Sequence, residues 1–179
     1  MATHARRRLA DTADALFLAE GVRAVGVERL LVESGVGRAS FYRHFASKDD
    51  LVVAVLAERD RRWRRWLAEG VDALGRDPLA VFDVLAADVE RGEFRGCAFV
   101  NAMIECADAD DPVHRLAVAH KRAVTDFFAE LLADAGQSQP AALAGRFVLL
   151  MDGATVTVVR ERSAEPLRWA REIAASLMT

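Results

Sequence analysis

The stretch that most restricts what this 179-residue chain can fold into is Gly35-Val-Gly-Arg-Ala-Ser-Phe-Tyr-Arg-His-Phe-Ala-Ser-Lys-Asp-Asp-Leu51. A glycine-containing turn leads into a short helical run bearing Arg38, Ser40, Tyr42, Arg43 and His44. Ser47-Lys-Asp-Asp50 then reads as a capping box opening a new helix. Upstream, Val27-Glu-Arg-Leu-Leu-Val-Glu-Ser34 has helical character and is stopped by Gly35. Two short helices about such a turn predict a helix-turn-helix, whose second helix fits the major groove of duplex DNA. Phe41 and Phe45 are expected in the core. The polar side chains between them are expected to face outward.

The same residues resemble the DNA-binding domain of the tetracycline-repressor (TetR-like) family of bacterial transcriptional regulators. Gly35, Val36, Arg38, Ala39, Ser40, Phe41, Tyr42, His44, Phe45 and Lys48 fill the places of the family pattern. Gly26 stands where the family usually has Thr or Ser, and Gly37 replaces the usual Ser cap. Both glycines suit an N-cap but supply no side-chain acceptor. The resemblance implies an all-α fold: an N-terminal three-helix bundle with the helix-turn-helix (1–47), joined by a long helix to a larger C-terminal helical ligand-binding and dimerisation domain (48–179). It further implies a cytoplasmic repressor that pairs as a homodimer through its last two long helices, binds a near-palindromic double-stranded DNA operator and is released by a small-molecule effector. The same fold is compatible with an activator. A helical small-molecule-binding or scaffolding protein without operator binding is the alternative from another class.

Each polar group on the short helix has a chemical task in that reading. Arg38 reaches a guanine edge bidentately, or a phosphate. Ser40 and Tyr42 donate to phosphate oxygens, which fixes register without reading sequence. His44 and Lys48 neutralise phosphates, with Arg43 beside them. Charge is distributed accordingly: residues 1–48 carry eight Lys or Arg against five Asp or Glu, and the remainder 16 against 22. A basic end on an acidic body presents one face to phosphate. Arg6, Arg7 and Arg8 lie in the first turn of a helix capped by Thr3, where cations oppose the helix dipole. They suit an outside phosphate, or simply a solvated helix end.

A hydrophobic share of 53% is ample for a core and excludes a disordered chain. No run approaches the roughly 18 apolar residues of a membrane span. Asp11 and Asp14 follow the N-terminal arginines, unlike a secretory signal. Catalytic signatures are absent: Gly35-Val-Gly37-Arg-Ala-Ser40 has no strand before it as a dinucleotide loop would, and His114 and His120 cannot chelate one metal from one helix. No enzyme activity, cofactor or metal is expected. Cys97 and Cys106 fall nine positions apart on what reads as one helix, about 13 Å along its axis, too far for an intrahelical disulfide. Two packed thiols in a reducing compartment is the reading adopted.

The rest of the chain has helical periodicity. A long helix is expected from Ser47 to Gly70, whose Arg59-Asp-Arg-Arg-Trp-Arg-Arg-Trp66 run suits either nucleic acid or buried tryptophans edged by solvated arginines. Further helices are expected over 78–91, 97–107, 113–135, 141–161 and 166–178. Thr155-Val-Thr-Val-Val159 has strand propensity, but lacks a partner strand and is placed in a helix. The last two segments are apolar on more than one side, as a central core helix or a dimer interface requires. Cys97, Asn101 and Glu105 recur every four positions and share a face. With His120 and Asp152 they are the candidate effector-binding residues, or else polar groups at a half-exposed edge.

Overall fold

The structure, a computed structural model, describes residues 2–92, 94–106 and 108–178. Among them every regular element is an α-helix: α1 (Ala2–Glu20), α2 (Val27–Ser34), α3 (Arg38–His44), α4 (Lys48–Ala73), α5 (Ala80–Arg91), α6 (Ala98–Glu105), α7 (Pro112–Asp134), α8 (Pro140–Glu161) and α9 (Glu165–Leu177). Two compact units emerge. One holds the chain up to Arg61 together with Ala98–Val118, and the other holds Arg62–Cys97 and Ala119–Thr179.

The first unit is organised by α1, which packs against α2 and α3. Leu9, Ala13 and Phe17 recur at helical spacing on its buried stripe, and Leu30, Phe41 and Phe45 meet solvent little or not at all. Gly35 closes α2 in the left-handed conformation, with φ 61°, and its N–H and that of Val36 return to α2 carbonyls. Glycine adopts that backbone without the Cβ penalty. The capping box at α4 is built with an offset. Asp50 N–H donates to Ser47 Oγ at 3.1 Å, while the Asp50 carboxylate receives the Ala46 N–H rather than that of Ser47. A part-buried ion pair, Arg59 Nε to Asp14 Oδ1 at 2.7 Å, fastens α4 to α1.

The second unit is a helical core in which α8 packs on α9 and α9 on α5. Its centre is aromatic: Phe128 and Phe147 meet edge to face at 5.5 Å, and Phe82 lies 6.0 Å from Phe147. Trp63 and Trp66 are half-buried against this core, and Trp63 meets buried His120 edge-on at 5.1 Å. The tryptophans of the Arg-Trp run are therefore packing residues. Arg76, in the turn after α4, bonds Asp72, Glu130 and Asp134 and so fastens that turn to α7.

Several boundaries differ from expectation for physical reasons. α1 begins at Ala2, so Thr3 lies inside it, and the Thr3 side chain lies outside the described ones. α4 runs three residues past Gly70, because that glycine serves close packing rather than termination: a Cβ there would meet both Val84 methyls at 2.9 Å. Cys97 and Cys106 do not share a helix; they flank α6 on either side and are free thiols, each half-buried. α8 is, by length and composition, apolar enough to cross a membrane, with a mean hydropathy of 1.6 over 18 residues, contrary to the expectation from its sequence. One of its faces is nonetheless built into the core through Leu143, Phe147, Met151 and Val158, and its Asp152 is paired with Lys121 of α7.

Candidate nucleic-acid interface

α3 is anchored by Phe41 and by its C-cap Phe45, while apart from Ala39 the rest of its short length is polar. With about 100° per residue, Ala39 and Arg43 fall on the arc opposite those phenylalanines, and they are exposed together with Arg38 and Tyr42. Ser40 and His44 sit on the flank, half-buried, as does Lys48 at the first position of α4. The structure thus gathers all six residues expected at the DNA surface around one helix and the start of the next.

Local contacts set the posture of each. Tyr42 stands edge-on to Phe41, ring centres 5.1 Å apart, and is 49% exposed. Arg43 Nε returns to the Ala39 carbonyl at 3.3 Å within the helix. Arg38 donates from Nη2 to the Glu28 carboxylate on α2. That hydrogen bond, then the negative charge of Glu28, raises the Arg38 pKa above its ordinary value, with smaller contributions from Tyr42. The guanidinium is permanently charged.

The surroundings are open and cationic. The N-caps of α2 and α3 are Gly26 and Gly37, both extended and neither with a side-chain cap bond. A Cβ at either position would meet nothing within 4 Å, so only hydrogen atoms separate the backbone from an incoming ligand there. The arginines of α1 converge on the same region. Arg6 lies over the Phe45 ring at 5.2 Å, and Arg8 Nη2 reaches the Gly35 carbonyl at 3.4 Å. Arg7 pairs within its own helix with Asp11. Sequence reasoning missed three participants here. Glu28 read as an ordinary helix residue, Ala39 as a small filler in the pattern, and the attachment of Arg6 to Phe45 is a tertiary contact with no sequence signal.

The expected effector residues are dispersed between the two units. In the first, Glu105 ends α6 and its carboxylate accepts the Arg23 N–H at 2.7 Å, closing the turn after α1. Asn101 is exposed on the same helix. In the second, His120 is buried against Trp63, Asp152 is held by Lys121, and Cys97 is half-buried. Burial, then the Asp111 carboxylate, pushes the Cys106 thiol pKa up, so it stays protonated at neutral pH and is a poor nucleophile.

Comparison with known proteins agrees with this geometry. Residues 9–55 match the model of bacterial regulatory proteins of the tetR family, and residues 79–173 match that of the transcriptional regulator LmrA/YxaF-like C-terminal domain. The crystal structure of SCO4454, a TetR-family transcriptional regulator from Streptomyces coelicolor, is 34% identical with a TM-score of 0.87, covering 98% of this chain and 96% of that one. The TetR-type regulator sav143 from Streptomyces avermitilis is 30% identical with a TM-score of 0.80, covering 96% and 98%. The HTH-type transcriptional regulator YjdC of Escherichia coli K12 is 28% identical over 117 residues, 65% of this chain and 61% of YjdC. With its helix-turn-helix tip turned to solvent and both halves matched, this chain belongs to the tetR family of bacterial regulatory proteins and is a DNA-binding transcriptional regulator rather than an enzyme.

Proposed function

We propose that the protein acts in the cytoplasm as a homodimeric repressor, bound to a near-palindromic operator and released by a small-molecule effector. The observation that carries the dimer is the apolar surface left on the last two helices. Leu149, Val156 and Val159 on α8 and Trp169 and Ile173 on α9 are large, exposed and in neighbouring helices. Such a patch on a regulatory protein marks an association surface. A two-fold dimer through it carries two copies of α3, which a pair of half-sites about 34 Å apart would accept in successive major grooves. In this reading residues 1–47 form the DNA head and 48–179 the effector and dimerisation part.

Within the head, Arg38, Ser40, Tyr42, Arg43, His44 and Lys48 contact DNA, and the Arg6 and Arg8 guanidiniums add phosphate contacts beside them. We propose effector contacts within each unit by itself: His120, Asp152 and half-buried Cys97 in the second, Asn101 and Glu105 in the first. Glu105 gives a route from ligand to DNA. An effector that draws its carboxylate away from the Arg23 amide frees the turn between α1 and α2, and so loosens the helix-turn-helix from α1. Release requires that the effector prefer the DNA-incompetent arrangement; to invert a 99:1 equilibrium that preference must reach about 10⁴-fold.

The test is a two-part titration. A fluorescent duplex from the region upstream of its own gene is titrated with the protein. Compounds that raise the thermal midpoint of the free protein are then added to the complex. Tight, salt-sensitive binding reversed by a stabilising compound supports the reading; a protein that binds this duplex no better than a scrambled one contradicts it.

A further inference from the structure

A carboxylate sits where a DNA-binding surface least favours one. Glu28, the second residue of α2, accepts a charge-assisted hydrogen bond from Nη2 of Arg38, the first residue of α3. The two side chains are 73% and 57% exposed. An ion pair so open to water contributes little to folding, so stability does not account for it. Its electrostatic effect on DNA is adverse: Glu28 repels phosphates, and it partly neutralises the arginine that would attract them.

Geometry supplies the compensating role. A phosphate accepts a guanidinium from many directions, whereas the O6 and N7 of guanine accept only a planar fork presented edge-on. Arg38 has a glycine before it at the cap and open space around that cap, and Tyr42 acts on it more weakly than Glu28 does. Glu28 is thus the group that fixes the plane of the guanidinium. Its bond occupies one of five N–H donors, which leaves enough for a bidentate contact.

We infer that Glu28 is a positioning residue that orients Arg38 toward a guanine edge and disfavours its use on phosphate, setting sequence preference at one base pair of each half-site. The inference rests on the DNA-binding reading of α3 and adds to it the residue that decides what Arg38 reads.

The experiment uses the full-length protein and a pool of duplexes with a randomised core, from which preferred sequences are selected and then substituted one base pair at a time. Arg38→Ala erases the preference for guanine at one position. Glu28→Gln, an isosteric change at an exposed site, lowers the discrimination at that same position about tenfold. Glu28→Gln also tightens binding to unselected DNA and steepens the log–log salt dependence by about one unit, because the freed guanidinium turns to phosphate. In an Arg38→Ala background Glu28→Gln has no effect on discrimination. Unchanged preference in Glu28→Gln, a uniform loss at all positions, or a loss at a base pair that Arg38→Ala does not affect overturns the inference alone. A wild-type protein that enriches no sequence from the pool overturns the DNA reading with it.

Discussion

Truncating the apolar patch on α8 should separate the protomers without unfolding them. Leu149 is 74% exposed and Val156 63% exposed, and two-fold pairing through α8 and α9 would bury each of them twice per dimer. Full burial of such side chains is worth about 1.5–3 kcal/mol each. Scaled by the exposed fractions and doubled, with an allowance for the methyl groups that remain, Leu149→Ala with Val156→Ala weakens association by about 4 kcal/mol. That is roughly a thousandfold in the dimer dissociation constant. Because both side chains face solvent in the protomer, its own fold changes by less than about 0.5 kcal/mol. Sedimentation velocity over a dilution series reads the association constant, and circular dichroism reads the fold. Operator binding by the double variant becomes steeper in protein concentration as dimerisation is coupled to DNA. A double variant with the dissociation constant of the wild type would refute the assignment of this face to dimerisation.

Three further outcomes follow from the geometry. Gly26→Ser adds a side-chain cap to α2 in backbone already extended and open, raising the thermal midpoint by about 1 °C. It also adds a hydroxyl for phosphate, and DNA affinity rises a few-fold in an anisotropy titration; weaker binding would mean that the backbone at 26 approaches DNA too closely for a Cβ. Phe147→Ala empties the space between Phe82 and Phe128 and costs about 3–5 kcal/mol, seen as a loss of roughly 10 °C in the melt; a change within 2 °C would contradict its place at the core centre. Cys106 has its pKa raised, so its alkylation at pH 7 runs slower than that of a free thiol and accelerates only above the ordinary cysteine range. The sign for stability is the same: the folded state holds the thiol proton longer than the unfolded one, so this group's contribution is present below the unfolded pKa and lost as pH rises through the folded one. Rapid modification at neutral pH would contradict the burial that sets it.

The helix-turn-helix was legible because its signals are local. Gly35 needs a left-handed backbone, Ser47 and Asp50 cap a helix three residues apart, and Phe41 and Phe45 are spaced to share a buried face. The long helices were equally plain from their periodicity. What escaped depends on partners distant in sequence. Gly70 looks like a stop, and only the presence of Val84 explains a glycine inside a helix there. Glu28 is indistinguishable from any surface glutamate until α3 brings Arg38 to it. Glu105 reads as one of a polar stripe with Asn101, and only the fold shows it closing a turn 82 residues earlier. The effector residues remained the least legible, since a polar group on an apolar helix serves a ligand or a neighbouring helix equally well, as the Lys121–Asp152 pair illustrates.

The central claim is that the side chains from Arg38 to Lys48 meet a duplex. It is tested most directly by the salt dependence of operator binding in wild type, Tyr42→Ala and Lys48→Ala, measured on one selected duplex by anisotropy. Both variants should bind more weakly, and Lys48→Ala should in addition flatten the log–log salt slope by about one unit, the signature of a lost phosphate contact. Wild-type affinity and slope in both variants would show that DNA is held elsewhere on the molecule.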